Sequence, residues 1–194
     1  MSVRGRASQQ GLPRHLAWLL VPFALALLSP SVPHGDLLEM GPGASRSHAG
    51  PGDPVARVAA VLEEENPGLS TAEVLRISRA VVRQSVRYQL DPELVTAVLL
   101  VESGARPGAR SPKGARGLMQ VMPYMMRPMG LAGNLSTVES NIEAGCIILA
   151  GNIRRLGESD GISAYFWGSQ IRDGAYLDRV RAARARVRSV SSAS

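Results

Sequence analysis

The chain has 194 residues, 45% of them apolar, which is room for one globular domain with appendages and excludes a disordered chain, a fibre or a bundle of membrane spans. Only 4% of residues are aromatic, so extended stacking platforms for sugars or single-stranded nucleic acid are excluded. The net charge of +6 includes Arg4, Arg6 and Arg14 of an acid-free leader, without which it is +3. The single cysteine excludes an internal disulfide framework, and the three histidines all precede the part of the chain that reads as folded. Histidine-dependent triads and histidine-rich or cysteine-rich metal sites therefore drop out.

The basic leader is followed by an apolar run of about thirteen residues, Leu16 to Leu28, and then by Ser29 and Ser31. Residues 1–31 read as a signal peptide, because the run is shorter than the roughly twenty residues a spanning helix needs and contains Pro22. An uncleaved anchor is the alternative. Residues 32–53, with Gly41-Pro42-Gly43 and Gly50-Pro51-Gly52, read as a flexible linker.

Helical signals then recur. Asp53 caps a short helix from Pro54 that stops at Pro67-Gly68, and Ser70 with Glu73 forms a capping-box pattern before a second helix. Asp91-Pro92-Glu93 opens a third, almost wholly apolar from Leu94 to Val101. A Gly/Pro/Ser loop covers Gly104 to Gly114, and Leu118 to Met126 is a helix candidate. Ser140 and Glu143 repeat the capping pattern before a helix running to Leu156, and further helices follow near Ile162 and Asp178. No alternation is strong enough for a sheet, so the fold class is mainly α with at most a very small β element. Residues 54–188 form the domain, ending in a basic helix, and 189–194 read as a disordered tail. Cys146, inside an apolar run, reads as a buried small hydrophobe. Arg179, Arg181, Arg184, Arg186 and Arg188 suit either an anionic surface, such as the cell envelope, or a solvated helix face.

Glu102 ends the apolar third helix. Hydrophobic neighbours one turn back and the negative end of the helix dipole both disfavour its carboxylate, the condition for a general acid near neutral pH. The plain alternative is an exposed helix-end glutamate. The segment that follows separates the two readings: Glu102-Ser103, Pro107, Ala109, Ser111 and the run from Gly114-Ala115-Arg116-Gly117 through Leu118-Met119-Gln120-Val121-Met122-Pro123. With Leu90-Asp91-Pro92-Glu93 upstream and Asn141-Ile142-Glu143-Ala144-Gly145 and Ala164-Tyr165 downstream, it resembles the soluble lytic transglycosylase catalytic domain over roughly residues 74 to 180.

That resemblance implies a goose-type lysozyme-like helical fold and an exported enzyme, in the periplasm or cell envelope, that cuts peptidoglycan glycan strands. It implies no metal and no cofactor. Glu102 aligns with the catalytic acid, Ser111 with a serine near the reacting sugar and Gln120 with a substrate-binding glutamine. Met119 falls in a cleft-lining segment, and Tyr165 aligns with a tyrosine that orients the carboxyl. Each has a plainer reading, since Ser111 suits a turn, Met119 a core and Tyr165 a buried ring. Gly114 and Gly117 suit positive φ or close backbone approach.

No Asp or Glu occurs from Gly104 through Thr137, so the second acid of an ordinary glycosidase is missing from the expected region. The resemblance implies that one glutamate acts as acid and then as base, giving a 1,6-anhydromuramyl end. Phe166-Trp167 stands where the family usually has Asn and Ala, and Ala105 where many relatives carry an aromatic. A hydrolytic lysozyme and a catalytically weak wall-binding or scaffolding protein are the alternatives. Binding of nucleic acid is not expected of an exported chain.

Overall fold

A computed structural model describes residues 52–131 and 134–193, with only the backbone described at 191–193. The expected signal peptide and nearly all of the expected linker lie outside those residues. Six helices make up the described part: α1 (Pro54–Glu65), α2 (Thr71–Tyr88), α3 (Pro92–Ser103), α4 (Val138–Leu156), α5 (Glu158–Trp167) and α6 (Ala175–Ala193). The expected β element is reduced to two isolated antiparallel bridges, Arg110 with Arg116 and Arg116 with Val121. No helix among the described residues is long and apolar enough to cross a membrane.

The helix starts follow their capping chemistry. Asp53 accepts from the Val55 amide at 2.9 Å and Asp91 from the Glu93 amide at 2.8 Å. Ser70 and Glu73 close a reciprocal capping box, satisfying two amides that a helix start leaves unpaired. At α4 the expected cap is displaced by one turn: Thr137, not Ser140, is the N-cap and accepts from the Ser140 amide. Val138 is thereby brought into the helix and buried.

Helix α3 is buried at every position from Leu94 to Leu99, the pattern of a helix surrounded by others. It packs against α1, α2 and α6, while α4 lies against α2 and α5. Val95, Val98, Leu99, Ile77, Val81, Ile142, Leu149 and Val180 share one fully buried core, each contributing about 1.5–3 kcal/mol of burial. Cys146 lies in this core, and burial pushes its thiol up to about 12, in keeping with a hydrophobe.

Two expectations at the C-terminus change. Residues 189–193 continue α6 and are not a disordered tail. No Gly or Pro interrupts the stretch after Gly174, so each further residue adds a backbone bond to an existing helix. The basic helix is also turned toward acids of its own domain. Arg184 pairs with both Asp91 and Glu158, Arg186 with Glu65 at 2.8 Å, and Arg188 with Glu93 at 3.0 Å. These pairs fasten α6 across α1, α3 and α5, leaving less of its charge for an outside surface.

Candidate active site

The site is built around the last turn of α3. Gly104, at φ +58, closes that helix in the left-handed region, and Glu102, its penultimate residue, is half-buried. Helix α6 packs on α3 and brings in Tyr176, 1% exposed, whose hydroxyl donates to Glu102 Oε1 at 2.7 Å. One turn along α6 the Arg179 guanidinium lies 5.6 Å from the Tyr176 ring centroid and 5.8 Å from that of Phe166.

Burial is the main reason the Glu102 carboxyl holds its proton above the usual glutamate range. The Tyr176 hydrogen bond and the positive charge of Arg179 act in the opposite direction and only partly offset it. The Tyr176 phenol is itself driven upward by burial and by the facing carboxyl, so it stays a neutral donor. With Oε1 accepting from Tyr176, the other carboxyl oxygen is left to carry a transferable proton.

The loop after α3 folds back on itself beside this acid. Gly117 donates to the Ala109 carbonyl at 2.9 Å and Ser111 to the Ala115 carbonyl at 3.0 Å, while Arg116 and Val121 exchange two backbone bonds at 3.0 Å. Gln120, in the left-handed region at φ +47, donates its side-chain amide to the Gly117 carbonyl at 2.9 Å and the Ala109 carbonyl at 3.3 Å. Ser111 Oγ accepts from the Ala115 amide at 3.0 Å. These two side chains hold the loop's shape, and the turn reading of Ser111 is the one its hydrogen bonds display.

Asn141 of α4, 1% exposed, anchors the loop to the core. Its carbonyl oxygen accepts from the Met119 amide at 2.7 Å, and its amide donates to the carbonyls of Arg116 at 2.8 Å and Leu135 at 3.2 Å. The approach is so close that a Cβ on Gly117, at φ +74, would stand 2.4 Å from the Asn141 amide nitrogen. A Cβ on Gly145, one turn along α4, would stand 2.6 Å from Met119 Cβ. Those two glycines let the loop sit flat on α4.

Several expectations change here. Met119 is wholly buried against α4, so its side chain packs the core and does not line a cleft. Leu118 to Met126 is not an α-helix: positive φ at Gly117 and Gln120 and the bridge at Val121 leave only a 3-10 turn, Pro123–Met125. Tyr165 does not hold the carboxyl. Its hydroxyl donates to the Met119 carbonyl at 2.8 Å, near enough to Glu102 for that charge to help burial raise the phenol. The tyrosine bonded to the acid is Tyr176, which sequence reasoning missed. The signal available was Tyr176 at the head of an apolar stripe, Tyr176, Val180 and Val187, since a buried tyrosine hydroxyl demands a partner.

Phe166 and Trp167 lie behind Tyr176. The Phe166 ring stacks on Tyr176 at 5.0 Å and 15°, and Trp167 meets Phe166 edge-on at 4.9 Å. Phe166 remains 50% exposed, so one element supports the tyrosine and still presents an apolar face to solvent. Ala105, at φ +57 and fully buried, offers its carbonyl to the Asn66 side-chain amide at 3.1 Å, which ties the start of the loop to the end of α1.

Residues 80–178 match the family model described as "Transglycosylase SLT domain". A protein named "Transglycosylase" from Enterobacteria phage PRD1 is 37% identical over 86 residues, covering 44% of this chain and 32% of its own length. An "Endo-type membrane-bound lytic murein transglycosylase A" from Klebsiella pneumoniae is 30% identical over 95 residues, covering 44% of this chain and 47% of that protein. The chain thus spans from 32% to 47% of the length of these relatives. Among solved structures, an inactive mutant of the lytic transglycosylase Slt from Pseudomonas aeruginosa matches with a TM-score of 0.41 and 23% identity, over 58% of this chain and 22% of that one.

Proposed function

Because the chain belongs to the transglycosylase SLT domain family, whose model covers residues 80–178, we propose that it is an exported peptidoglycan lytic transglycosylase that works through Glu102. The observation that carries this reading is the half-buried carboxyl of Glu102, raised in proton affinity and hydrogen-bonded by Tyr176 at 2.7 Å.

The protonated Glu102 gives its proton to the glycosidic oxygen between N-acetylmuramic acid and N-acetylglucosamine as the bond to the anomeric carbon breaks. The substrate's own acetamido group assists at that carbon, which suits a site whose following loop has no acid from Gly104 through Thr137. The carboxylate left behind then takes the proton of the muramyl C6 hydroxyl as that oxygen attacks the anomeric carbon. A 1,6-anhydro ring forms, water is not consumed and Glu102 is reprotonated. Tyr176 steadies the carboxylate between the two steps, and Arg179 adds positive charge on the same side. Gln120 and Ser111 serve by shaping the loop that follows α3, and Tyr165 by holding Met119.

Clearance of purified peptidoglycan by the chain and by its Glu102→Gln variant tests the assignment. Cleavage by the parent with loss of at least a thousandfold in the variant is expected, about 4 kcal/mol of barrier. Equal clearance by both would remove Glu102 from the mechanism. Binding without cleavage by the parent would make this a wall-binding protein.

A further inference from the structure

The loop beside the acid is cationic and carries no counter-charge of its own. Arg106, Arg110, Lys113, Arg116 and Arg127 lie in the stretch from Gly104 through Thr137 that lacks any Asp or Glu, and all five are exposed.

Two of them are set face to face by the backbone. The bonds from Gly117 to Ala109 and from Ser111 to Ala115 flank Arg110 and Arg116 and make them the non-hydrogen-bonded pair of an antiparallel bridge. In that register the facing Cα atoms stand about 4.5 Å apart and both side chains leave from one face. Like charges so placed repel, and neither guanidinium has an ion-pair partner among the described residues. Lys113 adds a third cation at the tip, in the turn closed by the Gly114 amide on the Ser111 carbonyl at 3.0 Å. The loop cannot readily relax away from this arrangement, because Gln120 and Asn141 pin it on both sides of the bridge.

Neighbouring guanidinium groups held toward solvent present parallel N–H donors that match a carboxylate. The loop is tied to the surroundings of the acid: Met119, two residues beyond Gly117, is held by Tyr165, and Tyr165 feels the charge of Glu102. The sugar backbone of peptidoglycan is uncharged wherever the muramyl lactyl group carries a peptide, so the anions on an intact strand are the carboxylates of those peptides.

We infer that Arg110 and Arg116, with Lys113 at the tip, form an anion site that grips a stem-peptide carboxylate of the strand whose glycan enters the cleft. This rests on the peptidoglycan reading and adds that the chain favours peptide-bearing, carboxylate-rich strands.

The test uses the full chain carrying Glu102→Gln, which binds without digesting, and measures co-sedimentation with insoluble peptidoglycan, native or with its carboxyls amidated by carbodiimide coupling. Adding Arg110→Gln and Arg116→Gln is expected to weaken binding to native material about tenfold and to leave binding to amidated material unchanged. Arg154→Gln with Arg155→Gln on α4, removing the same charge elsewhere, is expected to change neither. Unaltered binding of native material by the loop double variant would overturn the site. So would an equal loss on both materials, or an equal loss from the α4 pair. Turnover by the chain with Glu102 intact is scored separately, so failure of the transglycosylase reading is distinguishable from failure of this one.

Discussion

Replacing Asn141 with Leu keeps the branched outline of the side chain at a larger volume and removes three hydrogen bonds from a residue that is 1% exposed. The consequences at the three partners differ. The Arg116 carbonyl still accepts from the Val121 amide at 3.0 Å, and the Leu135 bond is the longest of the set at 3.2 Å. The Met119 amide, bonded at 2.7 Å in a buried setting, is left with no acceptor, which costs about 1–3 kcal/mol by itself. Adding up to about 1 kcal/mol for the carbonyls gives roughly 2–4 kcal/mol, or a fall in melting temperature of about 8–15 °C for a domain of this size.

Asn141→Asp separates hydrogen bonding from packing. A carboxylate still accepts from Met119 but sets negative charge against two carbonyl oxygens, so its pKa in the folded state is raised. A raised folded pKa means stability that is present at low pH and lost as pH climbs through that value, so this variant should be closest to the parent in acid. Thermal unfolding followed by circular dichroism, at acid and neutral pH, reads both. A Leu variant within about 1 kcal/mol of the parent, or an Asp variant relatively more stable at neutral pH, would refute the view that Asn141 clamps the loop.

Tyr176→Phe removes the hydrogen bond that lowers the proton affinity of Glu102, so the alkaline limb of the activity profile should move to higher pH; a shift to lower pH would contradict the geometry. Gly145→Ala forces a methyl into Met119 at 2.6 Å and should cost about 1–3 kcal/mol in denaturant melts. Arg184→Met breaks the links to Asp91 and Glu158; as that side chain is 23% exposed, about 1 kcal/mol is expected, shrinking in high salt if the pairing and not the packing is responsible.

What was legible in the sequence was local. Asp53, Ser70 with Glu73, and Asp91 act within three residues of themselves, and their capping follows from their own chemistry and spacing. The apolar helix ending near Gly104 made the place of Glu102 beside the dipole legible but not its burial, and only the segment that follows separated a buried acid from an exposed helix-end glutamate. The bond from Tyr176 spans 74 positions and depends on how α6 crosses α3, which no local pattern encodes. Tyr165 was assigned that role by alignment, yet its hydroxyl is consumed by Met119. The stretch after Gly117 has the apolar content of a helix, but Asn141 takes the Met119 amide and Gln120 turns left-handed, so the loop follows α4 and not its own periodicity. At the C-terminus, counting arginines revealed charge but not its partners, because Glu65 and Glu93 lie far back in the chain.

The most direct measurement is digestion of purified peptidoglycan in oxygen-18 water, with mass analysis of the new glycan ends. Glu102 acting as acid and then as base yields 1,6-anhydromuramyl ends, lighter than a reducing end by one water and free of the label, and none are expected from Glu102→Gln. Labelled reducing ends would mean that water attacks in place of the C6 hydroxyl, which would contradict the transglycosylase reaction and make the chain a hydrolase.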